Sequence, residues 1–135
     1  KALGPRTLWV DCDVLQADGG TRCASVTGAW TALALALRRL RQRGSLVRDP
    51  LQDAVAAVSA GIVDGRAVLD LAYDEDSRAE VDLNLVATGS GRLVEVQATG
   101  ERATFSTGEL EAMNGMALRG IARLCELQRA AVAAG

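Results

Sequence analysis

Histidine is absent from this chain of 135 residues. That removes histidine triads, imidazole general bases and imidazole metal ligands together. Aromatic residues are scarce, at 3%, so a core must be aliphatic, built from Val, Leu, Ile and Ala. The three cysteines, Cys12, Cys23 and Cys125, are odd in number and lack C-x-x-C spacing. This argues against a disulfide framework or a zinc site and makes a reducing cytoplasm the expected compartment. No apolar run approaches the ~18 to 20 residues that cross a bilayer, so no membrane partner is expected. The opening "KALGPRTLWV" also lacks the long apolar segment of a secretory leader. A basic excess is missing too: the net charge is -2 and the pI about 5.1. That is no footprint for RNA by itself, so RNA contact needs a local basic cluster or basic surface on another chain.

What is present suits one modest globular domain, with 49% hydrophobic and 24% charged residues. Residues 7–15, "TLWVDCDVL", alternate as a strand does. Residues 16–20 read as a turn and residues 21–43 as a helix. Val26, Trp30, Leu33, Leu37 and Leu40 recur at helical spacing, Arg38, Arg39, Arg41 and Arg43 gather at the C-terminal end, and Gly44 is a natural stop. Pro50 marks a loop. Residues 54–63 and 66–71 flank Asp64-Gly65, a strong hairpin signal. Residues 72–78 read as an acidic connection. Residues 79–87 and 91–99 form a second hairpin around "TGSG". A final helix starts at Ser106, with Glu109 three residues on, and carries the stripe Leu110, Met113, Ala117, Ile121, Leu124. The expected order is strand, helix, hairpin, hairpin, helix.

Two constellations invite chemistry. Gly19-Gly20-Thr21-Arg22 stands at the start of the first helix. Its plainer reading is a strand-to-helix turn with an incidental surface arginine. Its sharper reading is an anion cradle: unpaired helix N–H groups, a close-approaching glycine, a threonine hydroxyl and a bidentate guanidinium. The Gly-x-x-x-x-Gly-Lys spacing of a nucleotide P-loop is absent. In "DEDSRAEVDLN", residues 74–84, a solvated acidic loop is the plainer reading. Alternation nevertheless puts Glu80, Asp82 and Asn84 on one strand face, opposite Val81, Leu83 and Leu85, and Asp76 could fold back to meet Asp82. Two carboxylates without a matching basic residue suit a hard cation such as Mg2+. An anion cradle beside a carboxylate pair suggests phosphoryl chemistry. The segment "GRLVEVQATGE", in which Glu95 and Gln97 share a face, reads by itself as structural.

Taken in order, "DCDVLQADGGTR", "AVSAGIVDG", "AEVDLN" and "TGSGRLVEVQATGE" resemble the bacterial ribonuclease PH family. Its superfamily includes polynucleotide phosphorylase and the exosome core subunits. The resemblance spans nearly the whole chain, but only the C-terminal part of the family's domain. It implies an α+β, ribosomal-protein-S5-domain-2-like fold, with residues 1–135 as the C-terminal part of a single domain incomplete at its N-terminal side. It implies a phosphorolytic 3′-to-5′ exoribonuclease that trims tRNA precursors, using inorganic phosphate as co-substrate to release nucleoside diphosphates. Gly20, Thr21 and Arg22 map to the phosphate-binding segment. Asp76 and Asp82 map to the paired aspartates, as Mg2+ ligands and acid–base groups. The implied partners are RNA, through tRNA 3′ ends, and further copies of the chain in a hexamer built as a trimer of dimers. Cys23 stands where the family usually has Thr, Ala98 where it has Gly, and Ala72 where it has an acidic or polar residue. The family's first part brings another phosphate-binding arginine and much basic surface, so the 135 residues alone are expected to be a poor enzyme. The alternative is a truncated, non-catalytic subunit that assembles and binds phosphate or RNA.

Overall fold

The computed structural model describes residues 2–135 and has seven elements. They are α1 (Thr21–Gln42), β1 (Val55–Val63), β2 (Arg66–Leu69), α2 (Tyr73–Asp76), β3 (Val81–Thr88), β4 (Leu93–Gly100) and α3 (Thr107–Ala134). The strands make one antiparallel sheet in the order β2-β1-β3-β4. The fold is α+β, as the sequence leads one to expect.

The turn chemistry explains the hairpins. Asp64 and Gly65 take φ of 50° and 69°, the doubly positive pair that lets a two-residue turn match strand twist. The β3–β4 turn is closed by Thr88 N–H donating to the Arg92 carbonyl at 2.8 Å.

Alternation along the strands then builds a core on each face of the sheet. Ala56, Val58, Ala60 and Ile62 of β1 and Val81, Leu83, Leu85 and Ala87 of β3 pack with Met113, Ala117, Ile121 and Cys125 of α3. At the start of α3 the Ser106 hydroxyl accepts from Glu109 N–H at 3.3 Å, and the Glu109 carboxylate accepts from Ser106 N–H at 2.7 Å. This reciprocal cap is the one that the Ser-x-x-Glu spacing foretells. The other face of the sheet carries α1, where Cys23 and Val26 pack on Ala57 and Val86. Where the two helices end together, Arg38 donates to the Val132 and Ala133 carbonyls.

Two expectations fail. Residues 7–15 form no strand, and Trp9 and Leu15 are 89% and 96% exposed. Alternation offers an apolar face, but a strand also needs a neighbour's N–H and C=O groups. The two edges of this sheet, β2 and β4, are not paired with this segment. The order is therefore helix, hairpin, one helical turn, hairpin, helix. Residues 72–78, in turn, are not a plain connection, because Tyr73–Asp76 is one helical turn. Asp74, Glu75 and Asp76 suit the positive end of a helix, and the Glu75 carboxylate accepts from Ala72 N–H at 3.1 Å.

Candidate active site

The sheet register lays polar residues in rows on the face turned toward α1. Ser59 of β1 lies opposite Asn84 of β3, and Asn84 lies opposite Gln97 of β4. The next row is Gly61, Asp82 and Thr99; on the other side it is Ala57, Val86 and Glu95. The start of α1 rests over these rows. Between them is a cleft of 430 Å³ lined by Gly20, Thr21, Arg22, Ser59, Asp76 and Asp82, with Asn84 and Tyr73 at its side. Gly20, Thr21, Arg22, Asp76 and Asp82, singled out from sequence, thus meet in one place.

The cradle side is built by backbone. Gly19 and Gly20 take φ of 73° and 53°, a left-handed pair that swings the chain into α1. A Cβ on Gly19 would run into the Leu71 carbonyl oxygen, and one on Gly20 would sit 3.3 Å from Ser59 Oγ. The loop is pinned from below, where Asp18 Oδ1 accepts from Tyr73 N–H at 3.0 Å. Gly20 has no side chain with which to cap the helix, and no acidic residue occupies the first turn. The first N–H to find a helical acceptor is that of Ala24, on the Gly20 carbonyl at 3.0 Å. The positive end of a 22-residue helix is left open to the cleft.

Arg22 reaches across to β4. Its Nη2 donates to Glu95 Oε1 at 2.9 Å and to Oε2 at 2.6 Å. Among the described residues, Nε and Nη1 have no acceptor, so that edge of the fork is free for an oxyanion.

Among the described residues no ion pair involves Asp76 or Asp82. Burial raises the Asp82 carboxyl above its ordinary range, and the charges of Asp76 and Glu101 push the same way; the bond from Asn84 opposes them. A divalent cation would relieve this repulsion. No group of three or more His, Cys, Asp or Glu side chains able to hold a metal occurs among the described residues. Two carboxylates alone could serve an ion that takes few protein ligands and keeps several waters, as Mg2+ does. Glu80 shares the face but is spent on the β1–β2 turn, accepting from Gly65 N–H at 3.3 Å.

Sequence reasoning missed two members. Glu95, read as structural, is the partner of Arg22. Ser59 is 3% exposed, and its Oγ accepts from Leu71 N–H at 3.2 Å at the floor of the cleft. Only the pairing of β1, β3 and β4 reveals either. The one signal along the chain was the parity that Glu95 shares with Gln97.

A family model described as "3' exoribonuclease family, domain 2" matches residues 53–120, half of the chain. The chain belongs to this family. It is similar to the Ribonuclease PH of Parasynechococcus marenigrum (strain WH8102), 56% identical over 132 residues, covering 98% of this chain and 53% of that protein. It is also similar to that of Synechococcus sp. (strain CC9605), 57% identical over 131 residues, covering 97% of this chain and 53% of that protein. The chain spans about half the length of the curated relatives it matches. Among solved structures, rice (Oryza sativa) Rrp46 shares its fold with a TM-score of 0.66 at 18% identity, over 87% of this chain and 50% of that one. The Archaeoglobus fulgidus exosome with RNA bound to the active site does so with a TM-score of 0.62 at 19% identity, over 83% of this chain and 44% of that one. At such identities the likeness is one of fold. No helix among the described residues is long and apolar enough to cross a membrane.

Proposed function

We propose that the cleft is part of the active site of a phosphorolytic 3′-to-5′ exoribonuclease that trims RNA 3′ ends, those of tRNA precursors among them. One observation carries the reading. A single cleft is lined by an open helix N-terminus with Arg22 on one side and by the unpaired carboxylates Asp76 and Asp82 on the other. An oxyanion and a cation can therefore sit side by side, as phosphoryl transfer requires. The names of the relatives support this chemistry.

In the reaction an oxygen of inorganic phosphate bonds to the terminal phosphorus of the RNA. The bond from that phosphorus to the preceding 3′ oxygen breaks, and the 3′ oxygen takes up a proton. A nucleoside diphosphate leaves. The N–H groups of Thr21 and Arg22, the Thr21 hydroxyl and the free edge of the Arg22 guanidinium hold the attacking phosphate. Phosphate carries the nucleophilic oxygen itself, so the lack of histidine is no obstacle. Asp76 and Asp82 would hold Mg2+, which when bound would offset the charge on the phosphoryl oxygens. The same pair, Asp76 and Asp82, is read as the acid–base groups, one of them holding the proton that the leaving 3′ oxygen takes up.

The relatives are about twice as long as this chain. We therefore read residues 1–135 as the C-terminal part of one domain, completed by further chain and by assembly into rings. A second reading, a non-catalytic assembly subunit, draws on the exposed apolar side chains of Trp9 and Leu15. Product analysis in the full-length polypeptide that carries these residues separates the readings. Incubation of a tRNA precursor with phosphate and Mg2+ should release nucleoside diphosphates, and omission of phosphate should stop it. Release of monophosphates, or no release, would sink the phosphorolytic reading.

A further inference from the structure

A chain of polar contacts reaches the cleft from behind. Cys23, the third residue of α1, is buried, unlike Arg22 beside it. Its Sγ donates to Asn84 Oδ1 at 3.0 Å. Asn84 donates in turn, through Nδ2, to Asp82 Oδ2 at 3.0 Å.

The direction of this chain is dictated at both ends. Burial pushes the Cys23 thiol up to about 11, and the nearby Arg22 charge only partly offsets this. At neutral pH it is therefore S–H, a donor that needs an acceptor. An ionised carboxylate only accepts. The amide between them can satisfy both in one orientation alone, with oxygen toward the thiol and NH2 toward Asp82. Flipped, it would set donor against donor and acceptor against acceptor.

We propose that Cys23 is a positioning residue for Asp82, acting through the Asn84 side-chain amide. Rotation of an aspartate carboxylate about its last bond is broad and nearly two-fold, so a carboxylate at the rim of a wet cleft has no fixed plane of its own. A donor committed to one oxygen sets that plane. The amide can commit only if it is itself kept from flipping, and the thiol does that. Asp82 and Asn84 come from β3 and Cys23 from α1, so the contact also ties the carboxylate to the helix that carries Thr21 and Arg22. The proposal rests on the reading of Asp82 as a reactive carboxylate of the cleft.

The test uses the full-length polypeptide with Cys23→Ala, Cys23→Val, Cys23→Ser and Asp82→Asn. Alanine leaves a small space and valine fills it, and neither can donate; serine restores a donor. The alanine and valine variants should lower kcat for diphosphate release on the order of 10-fold, as loss of an outer partner of a site carboxylate does. KM for phosphate should hold, because Thr21 and Arg22 are untouched. Serine should recover most of kcat. The side-chain amide resonances of Asn84 should move in the alanine and valine variants and return with serine, a readout independent of turnover. Full kcat in the alanine and valine variants beside an inactive Asp82→Asn would overturn the positioning role alone. So would equal loss in all three cysteine variants in step with melting temperature. A fully active Asp82→Asn would overturn the reading of the site beneath it, and the proposal with it.

Discussion

Arg22 and Glu95, 73 residues apart in sequence, meet through one guanidinium nitrogen: Nη2 lies 2.9 and 2.6 Å from the two carboxylate oxygens. The grip is single-ended. It aims the arginine without consuming it, and it places a negative charge beside the proposed anion site.

Substituting either partner should therefore have opposite effects on phosphate. Arg22→Ala removes the charge-assisted contact and should raise KM for phosphate by roughly tenfold or more. Glu95→Gln keeps an oxygen that can accept from Nη2 but removes the repelling charge, so KM should fall. Steady-state phosphorolysis against phosphate concentration measures both. An unchanged KM in Arg22→Ala would remove the guanidinium from the phosphate site.

Asp82 should cost the fold stability at neutral pH. Its carboxyl is raised in the folded state, mainly by burial and then by Asp76. A raised folded value means the protonated form is the better accommodated one. The contribution to stability is thus fully present at low pH and is lost as pH rises through the folded value. Asp82→Asn, permanently neutral, should melt no earlier than wild type at pH 7, and slightly later. That advantage should shrink as pH falls through the folded value and vanish below the ordinary carboxylate range, where the carboxyl is protonated folded or unfolded. Thermal melts of both proteins across this range provide the check; an Asp82→Asn that melts far earlier at pH 7 would make the residue structural. Phosphorolysis by the same variant should drop by roughly 100-fold or more.

The two glycines before α1 should not be equivalent. Both hold left-handed φ, which costs an alanine roughly 1 to 2 kcal/mol. Gly19 has in addition the Leu71 carbonyl where a Cβ would go, a backbone atom that cannot step aside, whereas Gly20 faces the Ser59 hydroxyl at 3.3 Å. Denaturant titration should show Gly19→Ala as the more damaging change. Equal effects would mean that conformation alone, and not the approach to Leu71, sets the cost.

The 135 residues taken alone should self-associate. β4 is an edge strand carrying exposed Leu93, Val94 and Val96, and Trp9 and Leu15 stand out from the strap of residues 7–15. An apolar edge with open N–H and C=O groups pairs readily with another chain. Light scattering should report species larger than a monomer, and Val94→Lys with Val96→Lys should reduce them. A monodisperse monomer at high concentration would count against this.

Much of this architecture was legible because short-range rules held. Asp64-Gly65 marked its turn, Ser106 and Glu109 their cap, and the alternation of Val81, Leu83 and Leu85 told which face Asp82 would occupy. The Gly20-Thr21-Arg22 segment and the two aspartates could be named from residue chemistry and spacing. What stayed hidden was long-range. Glu95 finds Arg22 only because β4 pairs with β3 in one register, and Ser59 finds the cleft floor only because β1 lies beside Asn84. Residues 7–15 mislead for the same reason in reverse: their alternation is real, but periodicity says nothing about whether a neighbour is there to pair with. The helical turn at Tyr73–Asp76 was missed because four residues are too few to show a period.

The rows across β1, β3 and β4 have an evolutionary corollary. Side chains on a strand alternate, so a slip of β3 by one residue would drive Asp82 and Asn84 into the oily layer under α3 and expel Leu83 and Leu85 from it. Such a chain would fail to fold before it could fail to work. Quality control that monitors only whether the protein is folded thereby also screens for misplaced reactive groups. What passes such a screen are changes of individual side chains at the cleft, which leave the alternation intact.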